Sequence, residues 1–422
     1  MHKKYGIFIM RKSAALLLLL PLLLASCDHF GSGKVKNIVD LTPRITVEAP
    51  NKINFTSVQS NAILNSHSTR YQLAKHPIIA SEYVASQDIV YSLDNKGYVS
   101  AFSLKAKKII WSILLHKHKG DHNYYSGGIL HYNDEIFITN GSRDLIILDA
   151  QNGTEKMRKK FSDILRNKPA IFANNTLLVQ TISNQFFAYD IKQAKLLWMH
   201  EGGLETISST NHVAPTIYNS NVLVSYSSGE VVYIDIKTGD VKWVFHLIDG
   251  TMDMGLPNFE SAAIITPPII KQNYVYFATS NGKLVKIDLD NGAAVWQKQI
   301  DDIQSMSLLG ENLFLTTNAR QVAALSAHNG KVIWVGDLIS DKDKTANKNT
   351  TVAFQAPFVG TLQDNSLSLN IIGSNGELYS FILKDGVLQD QVQILKIDPA
   401  ILCYWLSQDT LHMIIKNKLI IE

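Results

Sequence analysis

Few stretches of this 422-residue chain combine residue types that could do chemistry. His116-Lys-His-Lys-Gly-Asp-His122 puts three histidines and an aspartate within seven residues, a donor set suited to Zn²⁺ or Cu²⁺. Lys117 and Lys119 interleave with the donors and would repel a cation, so the stretch reads as a solvated connector. Asp341-Lys-Asp-Lys-Thr-Ala-Asn347 imitates the start of a Ca²⁺ loop. Ala346 stands where the sharp turn needs glycine, and Val352 where the bidentate glutamate belongs, so it too reads as a connector. Nucleophile-elbow, zinc-protease and phosphate-loop motifs are absent. Asp301 and Asp302 are adjacent and on a strand would face opposite ways. The expectation is no catalytic residue, no metal ligand and no cofactor.

The chemistry that remains is attachment and binding. Lys3, Lys4, Arg11 and Lys12 precede an apolar run, Ala14–Leu24, of signal-peptide length, too short to span a bilayer. The run ends in Leu24-Ala25-Ser26-Cys27, which resembles the bacterial lipobox. That resemblance implies cleavage before Cys27 and acylation of its sulfur and amine, and several acyl chains anchor a protein where one would not. The only other cysteine is Cys403, so a lipidated Cys27 leaves no intramolecular disulfide. Without residues 1–26 the charge falls from 40 basic against 37 acidic residues to 36 against 37. A near-neutral chain gives no reason to expect nucleic acid.

One binding stretch stands out. Leu247–Ile265 carries Met252, Met254, Leu256 and Phe259 around Gly255 and Pro257, and adaptable methionine and aromatic side chains bury well against partners. The connector before it, His200–Val213, is polar and is expected beside it on the same face.

These connectors hang on a repeated unit. Val222–Phe245 reads as three short strands, Val222–Tyr226, Val231–Ile236 and Val241–Phe245, joined by turns that contain Gly229 and Gly239. The unit recurs at Ile89–Trp111, Ile136–Met157, Leu177–Trp198, Val275–Gln297, Leu313–Trp334 and Leu369–Asp390. Trp111, Trp198, Trp243, Trp296 and Trp334 fill one slot, Met157 and Asp390 fill it in the other two units, and successive slots lie 46, 41, 45, 53, 38 and 56 residues apart. That period with strand-sized pieces predicts a β-propeller. A fourth strand precedes most units, marked by Pro77, Pro169, Pro215, Pro267-Pro268 or Pro357. Proline lacks an N–H and suits the start of an inner edge strand. The tryptophans read as rings packed between neighbouring sheets; Trp405 lies outside the slot and stays unassigned.

The expected architecture is therefore all-β: an eight-bladed propeller of four-stranded antiparallel blades over 71–422, after a leader over 1–26 and a tether over 27–70. Asp398–Glu422 holds only three strands. An open ring would leave exposed edges, so a segment between Pro43 and Ser57, with Thr46 and Val47, is expected to complete the eighth blade.

The repeat, with its D-x-x-x-G-x-x-x-W core, resembles the pyrroloquinoline-quinone-type propeller repeat. Lipobox, tether and about eight such blades together are similar to the BamB family of outer-membrane protein assembly factors. The resemblance covers about Pro77 to Glu422. It implies a non-catalytic scaffold of the β-barrel assembly machinery, a monomer within a larger complex, lipid-anchored at the periplasmic face of the outer membrane and bound to the periplasmic part of BamA. Asp28 points the other way on location, since aspartate after the lipidated cysteine retains lipoproteins in the inner membrane of enteric bacteria. Family contacts lie in loops that correspond here to Ile207–His212 and Ser261–Ile265. The family pattern there is Leu-x-Leu-Arg and Asp-x-Asp. This chain has Ile207-Ser-Ser209-Thr210 and Ala262-Ala-Ile264, so only the leading aliphatic is kept, and a more apolar contact through Met252, Met254, Phe259, Ala262 and Ile264 is expected. Two other readings share the repeat. One is an anchored propeller that binds a different envelope protein. The other is a quinoprotein dehydrogenase, disfavoured because the chain has no adjacent cysteine pair and its proline-marked inner strands lack carboxylates.

Overall fold

The two central strands of each repeat become the core of a blade. In the blade built from Val222–Phe245, Asn221–Ser225 pairs with Glu230–Asp235, which pairs with Val241–His246. Val222, Leu223, Val224, Val231, Val232, Tyr233 and Ile234 are all buried. Neighbouring blades cover both faces of these strands, so they read as continuous apolar runs and not as the alternation of a half-exposed sheet. Only the outer strand alternates with solvent.

A computed structural model describes residues 69–421 except 85, 117–126, 166, 174, 204–212, 248–262, 340–351, 363–365, 385–386, 397–400 and 408–409. The chain divides into two units, 1–43 and 44–422, and all described residues belong to the second. That unit is an eight-bladed propeller, eight sheets of four antiparallel strands each, with no helix among the described residues. Blade one spans Ile78–Leu114, blade two Gly128–Lys160, blade three Ala170–Glu201 and blade four Thr216–His246. Blades five to seven span Ile269–Gln299, Ile303–Asp337 and Phe358–Lys396. The inner strands of blades one, three, four, five and seven start directly after Pro77, Pro169, Pro215, Pro268 and Pro357.

Blade eight combines Ile401–Ser407, Thr410–Ile415 and Lys418–Ile421 with Thr69–Gln72, which pairs Thr69 with Ile421 and Gln72 with Lys418. The ring is thus closed from the N-terminal side, but not by the expected segment. The outer place beside Lys418–Ile421 is filled by Thr69–Gln72, whereas Pro43–Ser57, including Thr46 and Val47, lies outside the described residues. The closing strand crosses the boundary drawn between 70 and 71. The next two residues hold it in place: Leu73 and Ala74 both donate to the carbonyl of Asn417, and both are buried with Val90, Phe102, Ile414 and Leu419.

The tryptophans stitch consecutive blades. Trp111, Trp198 and Trp243 donate Nε1–H to the carbonyls of Ala150, Ile236 and Leu289 in the next blade, at 3.1, 2.8 and 2.8 Å. The turn glycine of that next blade lies against the indole. A Cβ on Gly153, Gly239, Gly292 or Gly330 would come within 2.6–3.0 Å of Trp111, Trp198, Trp243 or Trp296. These glycines also have positive φ, so two independent demands fall on one position. The exceptions agree. Met157 replaces tryptophan in blade two, and the facing turn of blade three has Ala194 at φ 52°. Tyr71 stands on the outer strand of blade eight, and the facing turn of blade one has Lys107 at φ 56°, its ammonium 5.8 Å from the ring centre. Trp334 instead meets Phe381 of blade seven edge-on, with ring centroids 4.9 Å apart.

Trp405 belongs to the inner strand of blade eight. Its ring stacks on His412 at 5.1 Å and on Tyr83 of blade one at 5.2 Å. It packs the seam where the ring closes.

Candidate functional site

The two connectors expected to bind a partner lie mostly outside the described residues. Ile207, Ser209, Thr210, Met252, Met254, Phe259 and Ala262 all fall there. What the structure describes is how the connectors are rooted. The first leaves blade three through Gly202 and Gly203. Gly202 N–H donates to the Asn184 carbonyl at 2.9 Å. Gly203 N–H donates to Glu230 Oε2 at 2.8 Å, and its carbonyl accepts from Asn184 Nδ2 at 2.9 Å. A side chain on Gly202 would meet the Tyr226 ring at 2.5 Å. Tyr226 in turn bonds His200 Nδ1 at 2.8 Å. Burial raises the Tyr226 phenol and lowers the His200 imidazole, so this pair is held neutral beside the Glu230 carboxylate.

The second connector leaves blade four at Leu247, whose N–H donates to Gly229 and whose carbonyl accepts from Lys283 Nζ at 2.9 Å. It re-enters at Ala263, which accepts from Ser280 N–H. Leu247 and Ile264 sit in one apolar cluster with Trp243, Val275 and Phe277, and Val213, at the return of the first connector, packs against it. The roots of both connectors therefore converge on blades four and five, on the side of the turns at Ser227–Gly229 and Ser280–Gly282.

Ile264 departs from expectation. It is 2% exposed and bridges to Thr279, so its side chain is core, not contact surface. Its burial was legible only in the fold, because an aliphatic residue at a loop end looks the same whether it faces in or out.

The other candidates have structural roles. His116 Nε2 lies 2.8 Å from the Arg158 guanidinium, which holds that nitrogen as an acceptor and leaves it no lone pair for a metal; His118, Asp121 and His122 lie outside the described residues. Val352 is buried against Phe354. Asp301 and Asp302 form the turn between blades five and six, and Asp301 accepts from Gln299 Nε2 at 2.9 Å. The slot tryptophans serve packing throughout.

The hub also departs from expectation. The inner strand of blade one carries Glu82, and Lys168, just before the inner strand of blade three, reaches it to form an ion pair. The pair crosses blade two at Gly128, where a Cβ would lie 2.1 Å from Lys168 Cα. Beside it is a cavity of about 430 Å³ lined by Ser81, Tyr83, Cys403, Tyr404 and Trp405 among others. Cys403 shares a 3.3 Å hydrogen bond with Ser81, and burial raises its thiol pKa, which disfavours the thiolate. A carboxylate thus does stand on an inner strand, where none was expected, but it is neutralised by a lysine.

A closed ring of eight four-stranded antiparallel blades, with an indole on a turn glycine at four of its seams, defines a repeat propeller in which the described roots of two connectors meet at blades four and five. A family model described as outer membrane protein assembly factor BamB matches residues 116–336, and the chain belongs to that family. An uncharacterized protein of Rickettsia prowazekii is 43% identical over 407 residues, 96% of this chain and 97% of that one. The outer membrane protein assembly factor BamB of Escherichia coli is 22% identical over 316 residues, 74% of this chain and 77% of that one. The crystal structure of BamB from Moraxella catarrhalis shares the fold, with a TM-score of 0.64 at 17% identity, and covers 84% of this chain and 98% of that one.

Proposed function

We propose that this chain is a non-catalytic scaffold lipoprotein of the β-barrel assembly machinery. It is anchored through Cys27 at the periplasmic face of the outer membrane and aids insertion of outer-membrane β-barrel proteins by binding the periplasmic part of BamA. The observation that carries the reading is the family match over 116–336 on a complete eight-bladed ring. The convergence of both connector roots on blades four and five supports a single contact face there. Met252, Met254 and Phe259 supply apolar anchors, and burial of such groups dominates the energetics of an interface.

Affinity purification of the lipidated protein from solubilised envelopes tests this. BamA should co-purify with the native chain, and Met254→Asp with Phe259→Asp should abolish its recovery while the propeller stays folded. Unchanged recovery would refute the contact, and recovery of a different envelope protein in its place would refute the partner. Mass spectrometry of the mature N-terminus checks the anchor, with acylated Cys27 as the expected first residue.

A further inference from the structure

The third turn of blade one lacks the aspartate that opens it in blades two to five, as does that of blade six, where Ser326 accepts from His328 N–H. In blades two to five an aspartate opens that turn: Asp149, Asp190, Asp235 and Asp288 each accept backbone N–H groups of the turn. Blade one has Ser103 there, accepting from Ala106 N–H at 3.0 Å, so the turn has its cap without the negative charge. Lys105, Lys107 and Lys108 come next, all exposed, and none forms a salt bridge among the described residues. Blade two offers a contrast: Lys156 and Arg158 on its outer strand are paired with Glu135, Asp149, Glu155 and Asp144.

Directly after the lysines the outer strand of blade one exposes Ile109 and Ile110, at 37 and 48%. Unpaired ammonium groups beside solvent-facing aliphatics suit a lipid interface, where cations meet phosphates and the aliphatic groups enter the boundary below them. The same turn lies beside the entry of the chain into the ring. Lys107 sits 5.8 Å over the ring of Tyr71 in the closing strand Thr69–Gln72, and the residues between that strand and Cys27 are the only link to the anchor.

We propose that Lys105, Lys107 and Lys108, with Ile109 and Ile110, form a contact surface for anionic phospholipid headgroups of the membrane that carries the anchor. This rests on the lipoprotein reading above. The contact turns the edge of blade one toward the bilayer. Blades four and five, with the connector roots, lie on a different sector of the ring and stay free for a protein partner.

The test uses the mature chain from residue 27 with Cys27→Ser, which is unacylated, so that the surface is measured apart from the anchor. Flotation with vesicles of phosphatidylethanolamine and phosphatidylglycerol should show binding that weakens from 50 to about 300 mM salt, with little binding to phosphatidylcholine vesicles. The triple variant Lys105→Gln, Lys107→Gln, Lys108→Gln should bind about 100- to 200-fold more weakly at low salt, as expected for three cations at an anionic surface. Ile110→Ser should weaken the part of the binding that survives high salt. The control pair Lys237→Gln, Lys242→Gln on blade four should leave binding unchanged. Equal flotation of the triple variant, or no flotation of the parent chain on anionic vesicles, overturns the proposal. So does displacement by millimolar inorganic phosphate, which would mark a soluble-anion site. Failure of acylation at Cys27 would instead sink the anchor and leave this binding result standing.

Discussion

Replacing Gly292 by alanine should destabilise the propeller by about 2–5 kcal/mol, and the loss should depend on Trp243. Gly292 has φ 73°, and holding an alanine in that region costs roughly 1–2 kcal/mol. The new Cβ would lie 2.6 Å from Trp243 Cγ and 2.8 Å from its Cβ. The Trp243 Cβ is fixed by the backbone and the buried indole holds Cγ in place, so overpacking adds roughly 1–3 kcal/mol. The shift also disturbs the 2.8 Å bond from Trp243 Nε1–H to the Leu289 carbonyl, worth about 1 kcal/mol. Alanine recovers roughly 0.4–1 kcal/mol by stiffening the unfolded chain. In a Trp243→Met background the rigid ring is gone and an unbranched side chain can turn its Cγ away from the new Cβ, so Gly292→Ala should cost only about 1 kcal/mol, most of it backbone. The cycle then gives a coupling of about 1–4 kcal/mol, reaching the upper end of what contacting residues show. Urea unfolding followed by circular dichroism measures all four proteins. Blade three supplies the converse: Ala194 at φ 52° already faces Met157, so Ala194→Gly should stabilise by about 1 kcal/mol, the backbone term alone with no clash to relieve. A Gly292→Ala cost below about 0.5 kcal/mol, or strict additivity with Trp243→Met, would refute the idea that the glycine is set by the indole.

Leu73→Ala should cost about 2–5 kcal/mol, because the side chain is fully buried where the ring closes. Thr69→Ala on the exposed closing strand should stay near neutral, and urea midpoints compare the two. Stability should fall as the pH drops below about 6.5. Burial holds the imidazoles of His412, His131 and His200 below their ordinary pKa, so the unfolded chain binds protons that the folded chain refuses. His412→Phe, which keeps the stack on Trp405 and Tyr83, should flatten the difference between urea midpoints at pH 7.5 and 5.5. Gly128→Ala should leave little soluble protein on expression, since its Cβ would strike the Lys168 backbone, which has no rotamer to escape through.

The residues of the chain carried the local pattern. Central strands of valine, isoleucine and aromatic residues, turns with Asn-Gly or Lys-Thr-Gly, and a tryptophan slot with a period near 45 residues define a blade, because strand pairing and turn geometry are set by near neighbours in sequence. The proline before five inner strands is of the same kind. The two departures from the repeat, Met157 and Ala194, were also legible in the residues, but the reason they go together was not. The indole and its glycine lie about 40 residues apart and touch only after two blades pack.

What tertiary structure alone decided has a common cause: each feature depends on which distant segment arrives beside it. Thr69-Arg70-Tyr71-Gln72 has no strand pattern of its own and becomes a strand because Lys418–Ile421 offers an open edge. Trp405 gained a role from Tyr83, more than 300 positions away along the chain. Ile264 turned inward because blades four and five close over it, and Glu82 met Lys168 across a whole blade because Gly128 lets the backbone pass. Sequence determines the blade, since a blade is made of neighbours; only the closed ring determines the seams, the hub and which loops share a face.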